Sequence, residues 1–174
     1  MQLITEKIKN KIGDGARNNL YRLDIVFPFP TPEIDETSHM LITSTKVPSV
    51  KTGTPISVKL PYGKIIKLAS VQRVFDTFTA TIINDEKMVY KKYFEKWITE
   101  IAPWNSNEGT LSVQHETQAT LSLLAVDGKT VLRKYKLYYF FPESVSDITL
   151  DGGGEDIQKF SLTAHYVGEE ITEK

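Results

Sequence analysis

The amino-acid sequence predicts a mainly β fold, a small antiparallel β-barrel or sandwich with one flanking α-helix. Three observations carry that prediction. Apolar and polar residues alternate with the period of a half-buried strand in about seven stretches. Two β-rich runs flank Asp127-Gly128, a hairpin signature. A three- and four-residue apolar spacing is sustained in one long stretch, from Tyr90 to Ile101.

The elements follow in order. Leu3, Ile4, Ile8 and Ile12 form one stripe of a short helix, so residues 1–15 read as an N-terminal arm packed on its own or a neighbouring subunit. Tyr21, Leu23, Ile25 and Phe27 alternate with Arg22, Asp24 and Val26 in a strand closed by Pro28, Pro30 and Pro32. A second strand places Leu41, Thr43, Thr45 and Val47 on one face and Met40, Ile42 and Ser44 on the other, and ends at Pro48. Residues 49–70 read as an extended hairpin: Ile56, Val58 and Leu60 lead in, Pro61-Tyr62-Gly63 turns, and Ile65, Ile66 and Leu68 return. Next, Val74, Asp76, Phe78, Ala80 and Ile82 share one strand face. Thr77, Thr79 and Thr81 share the other with Phe75 and Ile83, a threonine-rich face suited to solvent or a neighbour.

The helix is expected over about 87–101. Asn84 is its expected cap, with Asp85 and Glu86 in the first turn facing the positive end of the dipole. Tyr90, Tyr93, Phe94, Trp97, Ile98 and Ile101 form its apolar side, Lys91 and Glu95 pair on its wet side, and Pro103 stops it. Residues 104–109 are a loop. The Asp127-Gly128 hairpin is expected to turn through type I′ geometry. Residues 151–156 are a polar turn, and a last strand follows with Ile157, Phe160 and Leu162 as buried anchors. Residues 168–174 are expected to be a frayed polar tail, and the whole of 1–174 one domain.

Composition narrows the function. The net charge is −1, with 21 basic and 22 acidic residues. That balance argues against a protein that grips nucleic-acid phosphates, which needs a basic face. There is no cysteine, so disulfides, thiolate metal sites and cysteine catalysis are impossible. No stretch has the length of a signal peptide's apolar core or of a membrane span, so no membrane anchor is expected.

Chemistry-bearing motifs are sparse. His39, His115 and His165 lack ligand spacing, and no metal or cofactor is expected. Gly13 to Asn18 looks superficially like a dinucleotide loop but follows no strand. Asp151 to Asp156 has glycines but no GK[ST]. Asp85 and Glu86 are adjacent at a helix start, whereas a glycosidase pair must straddle its substrate from separate elements. No GxSxG is present. Tyr138, Tyr139, Phe140 and Phe141 lack the basic neighbours of a base-stacking platform and read as core and sheet-end packing. No catalytic residue is expected.

The order of pieces carries a resemblance. A strand opens at 16–25, a second ends in STKVP at 44–48, and RVFDTFTATIINDE at 73–86 runs into a helix holding YFEKW at 93–97. FFPESVSDITLD follows at 140–151 and EDIQKFSLTAHYV at 155–167. Arg73, Phe75, Asp76, Phe78, Asn84, Asp85 and Glu86 carry the first specific motif, and Pro142, Val145, Ile148, Leu150 and Asp151 the second. Over 16–167 the chain resembles the tail tube proteins of contractile-tailed bacteriophages, a family that shades into the inner tubes of extracellular contractile injection systems. It departs from the pattern in a long proline-rich 28–39 connection, and over 49–70 it matches only in β character.

The resemblance implies a scaffold: six-subunit rings stacked into a hollow tube inside a contractile sheath, conducting DNA or effector proteins. It implies self-association and contacts with sheath, tape-measure and baseplate or tube-initiating proteins. It also implies assembly in the host bacterial cytoplasm and residence in the virion tail. The expected subunit interface is Ile56, Val58, Leu60, Tyr62 and Ile66, which one small barrel is too small to bury alone. An injection-system tube carrying protein effectors, a monomeric ligand-binding β-barrel and a small motif-free hydrolase are the alternatives.

Overall fold

One fifteen-residue strand, Val131–Val145, links the two halves of the fold. The computed structural model describes residues 2–13, 15–35, 37–105, 114–151 and 153–173, with side chains from Thr5 onward. Most of the loop expected at 104–109 lies outside the described residues, as do Asp14 and Gly152. The elements are α1 (Gln2–Ile12), β1 (Tyr21–Ile25), β2 (Ile42–Thr45), β3 (Lys51–Thr52), β4 (Ile56–Lys59), β5 (Ile65–Leu68), β6 (Arg73–Val74), β7 (Phe78–Ile83), α2 (Val89–Ile101), β8 (Thr117–Leu124), β9 (Val131–Val145), β10 (Lys159–His165) and β11 (Gly168–Glu173).

All pairings are antiparallel. The main sheet runs β1-β8-β9-β10-β7-β2, with β11 also on β9. The first part of β9 pairs with β8 and β11, and its last part with β10. At the changeover Thr117 faces Phe140 while Gln118 faces Tyr138, so Tyr139 is an extra residue. It is left-handed (φ 55°) and exposed. A bulge of this kind bends its strand, and here it turns β9 from one half of the sheet to the other. The result is sandwich-like, not a closed barrel. The Tyr21 hydroxyl donates to the Ile42 carbonyl at 2.9 Å and ties the two ends of the strand order together.

Between the halves lie Leu23, Phe78, Leu121, Leu137, Phe140 and Leu162, all buried. Helix α2 lays its stripe on this core, with Phe94 and Trp97 fully buried. Phe27 seats it: its ring lies 5.1 Å from Phe94 and 5.5 Å from Trp97. The prolines after β1 explain the position, since they end the strand and send Phe27 over the helix instead of into the sheet. The indole N–H of Trp97 donates to the His115 carbonyl at 3.1 Å, which satisfies a buried donor. The expected Lys91–Glu95 pair is present at 3.7 Å.

Five local expectations are corrected. Asn84 does not cap α2: it is buried, and its N–H donates to the Gln158 carbonyl at 2.9 Å. The helix starts at Val89, and the Asp85 carboxylate takes the Val89 N–H at 2.8 Å. The intervening Met88 is left-handed (φ 51°), a reversal that residue spacing does not show. The Asp127-Gly128 turn is not type I′, because Gly128 has φ 67° but Asp127 is not left-handed. Instead Gly128 N–H donates to Ala125, and the Asp127 carboxylate accepts from Lys129 and Thr130. Val74 does not share the buried face of Phe78; it sits on β6, exposed, apart from β7. Ile157 is exposed, because β10 begins only at Lys159. The tail expected to fray over 168–174 is instead strand β11 from Gly168 to Glu173, laid on β9 from Tyr138 to Arg133.

Candidate assembly interface

Among the described residues, strands β4 and β5 pair only with each other. Ile56 faces Leu68 and Val58 faces Ile66 across the ribbon, while Ser57 faces Lys67 and Lys59 faces Ile65. Directly opposed residues share a face, so Ile56, Val58, Ile66 and Leu68 form one apolar side. None of these strand residues is buried: Ile56 is 59% exposed, Leu68 49% and Ile66 43%. A two-stranded hairpin with nothing on its apolar side is marginal in water. Covering it with a partner would add about 1 kcal/mol per aliphatic side chain, since roughly half of each is already shielded.

The tip is shaped by Pro61, which presets its own φ, and by a left-handed pair, Tyr62 (φ 68°) and Gly63 (φ 75°). Leu60 N–H donates to the Lys64 carbonyl at 2.7 Å and closes the turn. Tyr62 has no Gly-like freedom, and a left-handed tyrosine costs about 1 kcal/mol or more. Its ring is fully exposed. The structure thus brings the five expected interface residues together at one exposed ribbon. Sequence reasoning left Leu68 and Ile65 out of that set. Folding the ribbon about Pro61-Tyr62-Gly63 puts Leu68 opposite Ile56, which is the signal that could have found it.

The ribbon joins the body through β3 and β6, where Lys51 faces Val74 and Thr52 faces Arg73. Beside this join the Asp76 carboxylate accepts from Ser49 Oγ at 2.6 Å and pairs with Lys51. The Lys51 ammonium, then the Ser49 hydroxyl, hold the Asp76 carboxyl below its ordinary range. Burial, and next the charge of Glu169, push the Tyr166 phenol up.

A second surface is the outer side of β2, β7, β9 and β10. Thr79 faces Thr163, Thr81 faces Ser161, and Ser144 faces Thr163. On β2, Ser44 faces Thr81, and Thr43 Oγ1 donates to the Thr81 carbonyl at 3.3 Å. Most of this face is uncharged hydroxyls on a rigid ladder. His165 and Glu143, joined at 2.8 Å, lie at its margin.

His115 is buried beside α2, and His39 lies in the connection before β2, so the histidines stay apart as their spacing suggests. Asp85 is occupied as a helix cap, and Glu86 sits beside it in the same turn.

The sequence matches the profile of the phage tail tube protein family over residues 16–168. The chain belongs to that family. It is 28% identical over 156 residues to tail tube protein gp19 of Enterobacteria phage T4, covering 87% of this chain and 88% of the relative. To gp19 of Enterobacteria phage T6 it is 27% identical over the same length. The fold is shared with a chain of the PVC sheath–tube complex, an extracellular contractile injection system in its extended state. There the TM-score is 0.65 at 14% identity, with 95% of this chain and 97% of that one covered. It is also shared with the tube-terminating cap of the anti-feeding prophage (TM-score 0.65, 15% identity, 91% of each chain) and with a chain of that particle's baseplate (0.68, 13%, 91% and 95%). This is a phage tail tube protein, and so a component of the virion.

Proposed function

We propose that this tail tube protein forms six-subunit rings that stack into a hollow tube inside a contractile sheath, and that the tube conducts DNA into the host. The exposed apolar side of the β4–β5 hairpin is the observation that carries this reading. Among the described residues Ile56, Leu60, Tyr62 and Ile66 stay exposed and Val58 is only half-buried, and a head-to-tail ring or stack supplies cover from a neighbour. The chain from 1 to 174 serves as one tail-tube domain with α1 as its N-terminal arm. Sheath, tape-measure and baseplate proteins are the further partners, and no catalytic step belongs to this role.

The hydroxyl ladder on β7 and β10 supports a conduit. A near-neutral wall releases few counterions, so DNA passes it without being held. DNA is favoured over protein effectors as cargo because the relatives at 27–28% identity are phage proteins, whereas the injection-system structures share only the fold.

Negative-stain electron microscopy of the purified protein tests this: stacked rings or tubes are expected. V58E and L60E should abolish tubes while leaving the circular dichroism of the subunit intact. A strict monomer at high concentration that binds a small hydrophobic ligand would overturn the reading.

A further inference from the structure

The Arg-x-Phe-Asp segment, Arg73 to Asp76, is the most specific motif in the sequence, yet none of its side chains belongs to the apolar side of the hairpin. Its position explains it. Chain enters the hairpin through Ser49 and Lys51 and leaves it through Arg73. Apart from the two-residue β3–β6 pairing and the Gly53 N–H bond to the Gln72 carbonyl at 2.7 Å, backbone bonds do little to set the hairpin's direction.

Side chains at the join hold both strands. Asp76 takes Ser49 and Lys51 from the incoming strand. The Arg73 guanidinium, on the outgoing strand, reaches Glu169 of β11 at 3.5 Å. The Glu169 side chain has no exposure and its carboxylate oxygens have no hydrogen-bond partner among the described residues, so the charge of Arg73, its ion-pair partner, is what compensates it there. Arg73 also lies over the Phe75 ring at 5.5 Å, and Phe75 meets Tyr166 edge-on at 5.5 Å. Every contact leads from the hairpin base to the body, through Asp76 or through the Tyr166–Glu169 segment.

We propose that Arg73, Phe75, Asp76 and Glu169 are positioning residues that fix the direction of the β4–β5 hairpin before assembly. A charge with no exposure is retained only where it is paired, and a pair of this kind specifies one arrangement more than it adds net stability. Aiming the hairpin in the free subunit removes its ordering cost from the association step. The proposal also assigns β11 a purpose: it carries Glu169 to the hairpin base, so the C-terminal strand and the hairpin, remote in sequence, act together. Its link to assembly rests on the hairpin being the interface.

The chain has no cysteine, so two introduced ones are the only labelling sites. Nitroxides at Lys64→Cys in the hairpin and Thr99→Cys on α2 report the hairpin's direction in the unassembled subunit, by pulsed electron-spin distance measurement. The parent is expected to give a single narrow distance distribution. R73Q/E169Q removes both charges with little change of shape and should broaden it, with the Trp97 near-ultraviolet signal unchanged. Should that variant fail to fold, K51Q/D76N removes the half-exposed pair at the same join and should also broaden the distribution. Unlabelled R73Q/E169Q should then grow tubes on the order of tenfold more slowly, the cost of ordering one segment at association. A distribution as narrow as the parent's overturns the proposal, whatever the tubes do. A broadened distribution with growth at the parental rate leaves the positioning role standing and overturns the hairpin as the interface.

Discussion

Helix α2 and the β4–β5 hairpin are both amphipathic, and they differ in what covers them. Phe94 and Trp97 of α2 are wholly buried by Phe27 and the sheet, whereas Ile56 and Leu68 of the hairpin stay 59% and 49% exposed. The aromatic stripe finds its cover inside the chain, and the aliphatic one does not. In the proposed function the open face at the end of the ribbon is a surface for another copy, and an amphipathic pattern in sequence does not separate the two cases. Energetically the first face stabilises the subunit, and on the proposed reading the second is left to stabilise the assembly.

That difference can be broken first at Trp97. Trp97→Ala removes a buried indole and leaves the His115 carbonyl without its donor. It should lower subunit stability by about 3–5 kcal/mol, read from urea or thermal unfolding. L60E should move the same midpoint very little, because changes at exposed positions usually stay within about 0.5 kcal/mol, and V58E, at a half-buried position, should still cost far less than Trp97→Ala.

Next comes alkali. Burial above all, then the charges of Asp24 and Asp35, raise the Tyr90 phenol from 10.0 to about 12. The neutral phenol is the form the fold favours. Its contribution is complete below pH 10.0 and is lost as pH rises through about 12. Across that window the subunit should lose on the order of 2–3 kcal/mol. Tyr90→Phe should remove this component of the stability–pH curve, while tyrosine-free changes in the hairpin leave it in place.

Smaller effects test the helix ends and wet side. Asp85→Ala deletes the carboxylate that takes the Val89 N–H and should cost about 1 kcal/mol, whereas Asn84 variants should act through the Gln158 contact and not through the cap. Glu95→Gln, which weakens the exposed pair with Lys91, should cost at most about 0.5 kcal/mol and vanish at high salt.

The same contrast explains what was legible in the sequence. The stripe from Tyr90 to Ile101 and the β8–β9 hairpin carry their own periodicity, so they were readable. The hairpin at 49–70 was readable as an open face because its alternating aliphatics surround a proline–glycine turn. Strand β11 was not. Gly168-Glu169-Glu170-Ile171 has poor β propensity, and the strand lies along the edge that β9 offers, with Arg73 paired to Glu169 at 3.5 Å. The true cap and the turn at Gly128 escaped for a related reason: both depend on which residue turns left-handed, Met88 before the helix and Gly128 but not Asp127. Ile157 continues the apolar alternation of Phe160 and Leu162 in sequence but lies two residues before β10 begins, so it stays exposed.

Amide hydrogen exchange across residues 56–68, compared between free subunits and assembled tubes, shows whether the hairpin is covered on assembly. Rapid exchange is expected at hairpin amides in the free subunit, with α2 already protected, and strong protection of the hairpin on assembly. Hairpin exchange that is as fast in tubes as in free subunits would contradict the proposed interface.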